Sequence, residues 1–185
     1  MVSLVKGQKV SLSKTAPTLT NLVVGLGWDV KEGMGYSYDL DAFVIACRNN
    51  RLTNKDDLVY FMQPVGCKGA VRHGGDNLTG EGDGDDEQIF INLSKLSLKI
   101  NKLIICVNIF QASKRNQDFG QVKNAYMRLC NDNEEIFRFN LSNDYSGYRG
   151  MIFGEIYRHN NEWKFNPIGD GTKEDSVEAI AILYL

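Results

Sequence analysis

The chain has 185 residues, 43% of them apolar and 24% charged, with a formal net charge of -2. This is the size and composition of one soluble globular domain, taken as residues 1–185. It excludes the basic footprint of a nucleic-acid binder, offers no apolar run near the ~20 residues of a membrane span, and begins without a signal pattern, so a cytoplasmic protein is expected.

In chain order, residues 9–14 alternate Val10 and Leu12 with polar residues and predict a short edge strand, broken by Ala16-Pro17. Residues 22–28 predict a buried strand in which Gly25 and Gly27 mark a bulge or close backbone approach, closing at Asp29. A glycine-rich loop leads to Asp39-Leu40-Asp41 and a second apolar strand at 42–47. Side chains two apart on a strand share a face, so Asp39 and Asp41 can aim at one point. If the two strands form a hairpin, Asp29 joins them at the same end. Further strands are predicted at 58–62, 70–73, 88–93 and 102–110, with a helical turn at 94–99 and a polar loop at 111–121. Two hairpins follow, 124–130 with 135–141 across Asn131-Asp132-Asn133, and 151–158 with 162–168 across Asn160-Asn161. Val177, Ile180, Ala181 and Tyr184 fall at helical spacing behind Thr172 and Asp175, which predicts a C-terminal helix. Many short strands with frequent turn signals predict a mainly β protein, a β-sandwich of two sheets with short helices. A sandwich gathers distant loops at its ends.

The stretch at 74–87, GGDNLTGEGDGDDE, holds six carboxylates and no lysine or arginine. Two unit charges ~5 Å apart repel by about 0.8 kcal/mol even in water. A hard cation removes that cost. Calcium takes oxygens from carboxylates, Asn side chains and backbone carbonyls, and glycines let the backbone turn to present them. A solvated acidic loop is the alternative that composition leaves open. The pattern is not an EF-hand, because Gln88 stands where the glycine of that loop belongs, and no Gly-Lys-Ser/Thr phosphate loop is present. Together with Asp29, Asp39 and Asp41 there are more acids than one ion needs, so two neighbouring ions are expected. The four cysteines form no Cys-x-x-Cys pair and read as buried reduced thiols, with Cys67 alone in a loop context. His73 and His159 are isolated, which argues against zinc, and His73 reads as a solvated loop residue.

GLGWD at 25–29, DLDA at 39–42, GDNLTGEGDGDDE at 75–87, FGQVKNAY at 119–126 and FGEIYRHNNEWKF at 153–165 resemble, in order and spacing, the TerD family of tellurium-resistance and general stress proteins. The resemblance covers nearly the whole chain. It implies a β-sandwich that binds calcium, two ions close together, through acidic loops. It also implies a role in resistance to tellurite and related stresses, in assemblies with other tellurium-resistance family proteins, at the inner face of the membrane. No enzymatic activity is established for the family. The ligand set it implies here is Asp29, Asp39, Asp41, Asp76, Asn77, Leu78, Gly80, Asp85, Asp86 and Glu87, with Leu78 and Gly80 offering backbone oxygens only. Glu81 and Asp83 stay outside that set. Phe110-Gln111 stands where many members carry His-Asp, so a contact made there is not carried over.

The expected function is therefore a calcium-binding stress protein acting through partners. The alternative is a metal-dependent hydrolase using the same acids, which needs an open coordination position and a proton shuttle. A third reading, thiol chemistry on tellurite at Cys67, needs an exposed thiolate. Replacing Asp85 or Glu87 by alanine is expected, in each case, to weaken calcium binding by at least about tenfold.

Overall fold

The computed structural model describes residues 6–12, 20–131, 134–160 and 162–185. Its architecture follows from two strands that have no polar face. All eight residues of β3 (Leu40–Cys47) are buried, as are seven of the eight in β8 (Lys102–Ile109). Strands of this kind need cover on both sides. They pair with each other in register from Leu40 opposite Ile109 to Cys47 opposite Lys102.

Around them lies a six-stranded sheet in the order β1 (Val10–Ser11), β12 (Glu162–Thr172), β11 (Gly150–His159), β8, β3 and β4 (Leu58–Val59). The second sheet runs β10 (Glu134–Asn140), β9 (Tyr126–Asn131), β2 (Asn21–Gly27), β7 (Glu87–Asn92), β6 (Val71–His73) and β5 (Val65–Gly66). Every pairing between these strands is antiparallel. The protein is a β-sandwich. Among the described residues, three short α-helices accompany it: α1 (Ala112–Arg115), α2 (Leu141–Asp144) and α3 (Val177–Ala181).

Alternation along the strands sorts the core into two layers. Ala42, Val44, Ala46, Leu103 and Ile105 face Val24, Leu26, Ile89 and Leu129 between the sheets. Phe43, Ile45, Ile104 and Cys106 point the other way, where Val177, Ile180 and Ala181 of α3 cover them. The rings of Phe137, Phe139, Phe153 and Phe165 meet at centroid distances of 4.7–5.8 Å and join β10 to β11 and β12. None of the described helices is long and apolar enough to cross a membrane.

Several local expectations change. The strands β2 and β3 belong to different sheets and form no hairpin; Asp29 still shares an end with Asp39 because both sheets present their loops there. The strand expected over 58–62 stops at Val59, since Tyr60 and Gln63 exchange backbone hydrogen bonds and turn the chain. Residues 94–99 make turns, with Lys95 N donating to Asn92 O and Ile100 N to Ser97 O, and no helix. The polar loop at 111–121 contains α1 and a 3-10 turn at Phe119–Gln121 capped by Asp118. The last hairpin runs to Thr172 opposite Gly150, so Thr172 is strand and cannot cap. Ser176 caps α3 instead, accepting from Ala179 N at 3.2 Å. The turn residues Asp132, Asn133 and Asn161, and the break at Ala16-Pro17, lie outside the described residues.

Because α3 is the cover of an otherwise bare apolar face, Ile180→Ala should lower unfolding stability by about 2–4 kcal/mol. Urea denaturation measures it. A loss below about 0.5 kcal/mol would mean that the helix does not seal this face.

Candidate metal centre

Strand register brings the acidic segments together. Leu26 near the end of β2 lies opposite Glu87 at the start of β7, and Leu40 at the start of β3 lies opposite Ile109 at the end of β8. Asp29, residues 39–41 and the loop at 74–87 therefore crown one end of the sandwich.

Asp39, Asp41 and Asp76 each offer a carboxylate oxygen within 4.8 Å of the other two. Asp39 and Asp41 are buried. Glu87, also buried, sits beside them: its Oε2 accepts from Ala42 N at 2.8 Å and its Oε1 from Asn77 N at 3.4 Å. The Ala42 contact ties β7 of one sheet to β3 of the other. Burial, then repulsion from Asp76, pushes Asp39 up to about 6. Burial, then repulsion from Glu87 and Asp39, pushes Asp41 up to about 8. Burial also raises Glu87, against hydrogen bonds from its neighbours. At an effective dielectric of ~20, two charges ~5 Å apart repel by about 3 kcal/mol. The resident counter-charge is modest. Arg115 Nη1 lies 3.7 Å from Asp39 Oδ2, with its guanidinium against the rings of Tyr36 and Phe110.

Two observations test whether a cation fits. Asp39 Oδ1 is buried with no hydrogen-bond partner. The 4.8 Å span is about twice the ~2.4 Å calcium–oxygen distance, so these oxygens can lie around one calcium. Magnesium, at ~2.1 Å, would require the cluster to contract. The donor set is all oxygen, as a hard cation prefers. Asp39, Asp41, Asp76 and Glu87 are the residues that would hold it.

The other expected ligands are placed differently. Asn77 spends its Oδ1 on Thr79 N (3.1 Å) and Gly80 N (2.9 Å), shaping the loop. Its Nδ2 donates to Asp86 Oδ1 at 3.2 Å. Leu78 exposes its side chain. Gly80 has φ +76° and lies against Trp28, where a Cβ would come within 2.5 Å of Nε1, so no other residue fits. Asp86 Oδ2 accepts from Trp28 N at 2.8 Å, and Asp29 Oδ2 accepts from Asn124 Nδ2 at 2.7 Å. Burial, with repulsion from Asp85 and Asp29, raises Asp86. Asp29, Asp83 and Asp86 share a groove of about 770 Å³ with Lys123 and Arg138. Asp85 stands apart. Its two oxygens take a bidentate contact from Arg128 at 2.8 and 3.0 Å, with Tyr126 Oη at 2.9 Å. Burial pushes Asp85 up, and the bonds from Arg128, Gln88 and Tyr126 outweigh it and leave the group below its ordinary value. Gly25 makes this possible, since a Cβ there would fall 2.2 Å from Asp85 Oδ2.

Three residues at the site were not expected from sequence. His73 is buried, not solvated; its Nδ1 accepts from Gly75 N at 3.2 Å and its Nε2 lies 3.4 Å from Glu87 Oε2. Asn108 donates to Asp41 Oδ2 at 3.0 Å and reaches Asp175 O at 3.4 Å. A single amide inside the apolar run KLIICVNIF was its signal. Arg115 gave no signal, because its place depends on the fold of α1.

The TerD-domain family pattern matches residues 1–184. The chain belongs to the TerD family. General stress protein 16U of Bacillus subtilis (strain 168) and tellurium resistance protein TerD of Serratia marcescens are each 46% identical over 174 residues, covering 92% of this chain and 90% of theirs. The solved structure of a homologue of telluride resistance protein TerD from Streptomyces coelicolor A3(2) has a TM-score of 0.76 at 21% identity, covering 86% of this chain and 94% of its own, and shares the fold. At the position where many family members are expected to carry His-Asp, Phe110 packs on Arg115, and Gln111 takes a left-handed φ of 53° before α1.

All four cysteines of this TerD-family chain are free and buried. Burial pushes Cys67 up to about 12 and Cys47 up to about 11, and raises Cys106 and Cys130 as well. Thiol labelling at pH 8 should therefore run at least about 100-fold slower on the folded protein than in denaturant. A fast native thiol at Cys67 would bring back direct thiol chemistry.

Proposed function

We propose that this chain is a calcium-ordered stress-response protein that acts by binding partners, not by catalysis. The observation that carries the proposal is the meeting of the buried Asp39 and Asp41 with the exposed Asp76, with Asp39 Oδ1 unpartnered and Glu87 alongside. A bound divalent ion cancels their repulsion. Asp41 and Glu87 then keep their charges, and the loop at 74–87 is fixed to both sheets through Ala42. A second ion belongs beside Asp29 and Asp86, which repel each other across the same loop. The names of the relatives, for tellurium resistance and general stress, support the stress role. Proteins named TerD, TerX and TerZ, all from Serratia marcescens, match this chain, which supports action alongside other family members. Their meeting place, on this reading, is the calcium-ordered end, in the cytoplasm or at the inner membrane surface.

Calcium at 100 times its dissociation constant should stabilise the fold by about 2.7 kcal/mol. For a chain of this size the midpoint rises by about 5–10 °C. Thermal unfolding in chelator, then in calcium, with magnesium as control, reads this. An unchanged midpoint would sink the proposal.

The geometry also ranks the carboxylates. Asp41→Asn should weaken calcium binding more than about tenfold. Asp85→Asn should change it less than about threefold while costing about 1–3 kcal/mol of stability through Arg128. Calorimetric titration with parallel denaturation separates the two, and the reverse order would move the ion to the Asp85 side.

A further inference from the structure

The opposite end of the sandwich carries the opposite charge. Strand β7 runs about 20 Å from Glu87 to Asn92. Beyond Asn92 lie Lys95, Ser97 and Lys99, and Ala70 O accepts from Asn92 N across the same edge. Arg48, just past the end of β3, joins them. There a groove of about 880 Å³ opens between the 67–69 turn and the 95–100 segment. Its apolar floor is the buried Cys67 and Ile100 with the exposed Val65 beside them, and the exposed Lys68, Lys95 and Lys99 also line it. Arg48 and the buried Asp57 satisfy each other. The three lysines are exposed, and none has an ion-pair partner among the described residues. Among the described residues Asp56 is the one other carboxylate lining the groove, which leaves that lining with a surplus of two positive charges on a chain whose net charge is -2.

The backbone at this rim is itself unusual. Cys67, Lys68 and Gly69 have φ of 52°, 57° and 84°, a left-handed turn closed by Ala70 N donating to Cys67 O. Glycine accepts that region freely, and the other two residues do not. Such strain persists where surrounding structure holds it, and it collects at ligand sites. Here it sets Lys68 in the lining of the same groove as Lys95 and Lys99.

From these features we infer that the groove binds a phosphate-bearing small molecule. The lysines take the phosphates as charge-assisted donors, and the Val65–Ile100 floor takes the apolar or ring portion. A groove of this volume is in the range of small-ligand sites. The inference does not rest on the calcium reading, because its residues lie at the other end of the strands.

The test is calorimetric titration of the full chain with pyrophosphate and with ATP, in EDTA so that no divalent ion bridges phosphate to the acidic loops. Saturable binding is expected, tighter for ATP than for pyrophosphate because the floor contributes, and weakening steeply with salt. Lys95→Glu and Lys99→Glu should each weaken it by about tenfold. Lys114→Glu, an exposed lysine at the acidic end, should leave it within about twofold. Absence of saturable binding overturns the inference, and so does equal loss in Lys114→Glu. Phosphatidylglycerol vesicles form a second arm. Capture by vesicles without binding of either free phosphate overturns the small-molecule reading in favour of a lipid surface.

Discussion

The fold is closed at one end by a repulsion. Asp39, Asp41, Asp76 and Glu87 are held together where the two sheets meet, and the same Glu87 that adds to the repulsion also bonds the sheets through Ala42 N. Removing the acids would relieve the charge and cut the tie. Burial, with repulsion from the neighbouring acids, raises Asp39 and Asp41 toward neutrality. On the proposed reading a cation would resolve both demands at once, since it would favour the ionised carboxylates that the buried hydrogen bonds also prefer. The rest of the acidic loop is built to hold this arrangement: Asn77 shapes its turn, Gly80 admits Trp28, and Asp85 anchors it to β9 through Arg128.

This division of labour explains why acids adjacent in sequence differ in role. Asp85, Asp86 and Glu87 are consecutive, but only Glu87 belongs to β7, where it is buried and accepts from Ala42 N, while Asp85, still in the loop, lies over Gly25 and takes the contact from Arg128. Asp86 turns back to cap Trp28 N. One short run of charge thus serves the acidic cluster, a partly buried ion pair and a loop closure.

Much of the architecture was legible. The apolar runs at 42–47 and 102–110 marked the two central strands, and the helical spacing at 177–184 marked α3, because burial on both faces and 3.6-residue periodicity leave direct traces in composition. The acidic residues marked the end of the molecule where charge gathers. Pairing was not legible: β2 and β3 are neighbours in sequence and lie in different sheets, a choice made by long-range contacts. Nor was partner choice within the charged loop. Asp85 is committed to Arg128, 43 residues away, and no local pattern announces that. His73 was misjudged for a similar reason: its loop context suggested solvent, while the pairing of His73 with Ile89 draws it inside. The short helix α1 was hidden by polar composition, and with it the placement of Arg115 over the cluster.

Asn108 carries a consequence that extends past the acidic end. Its Nδ2 group divides itself between Asp41 and the carbonyl of Asp175, one residue before the cap of α3. An amide nitrogen has two protons and a fixed plane, so what it gives to one acceptor constrains what it gives to the other. The first turn of the C-terminal helix is therefore a listening post. Its amide resonances should respond to the charge state of a carboxylate joined to it only through the side chain of Asn108.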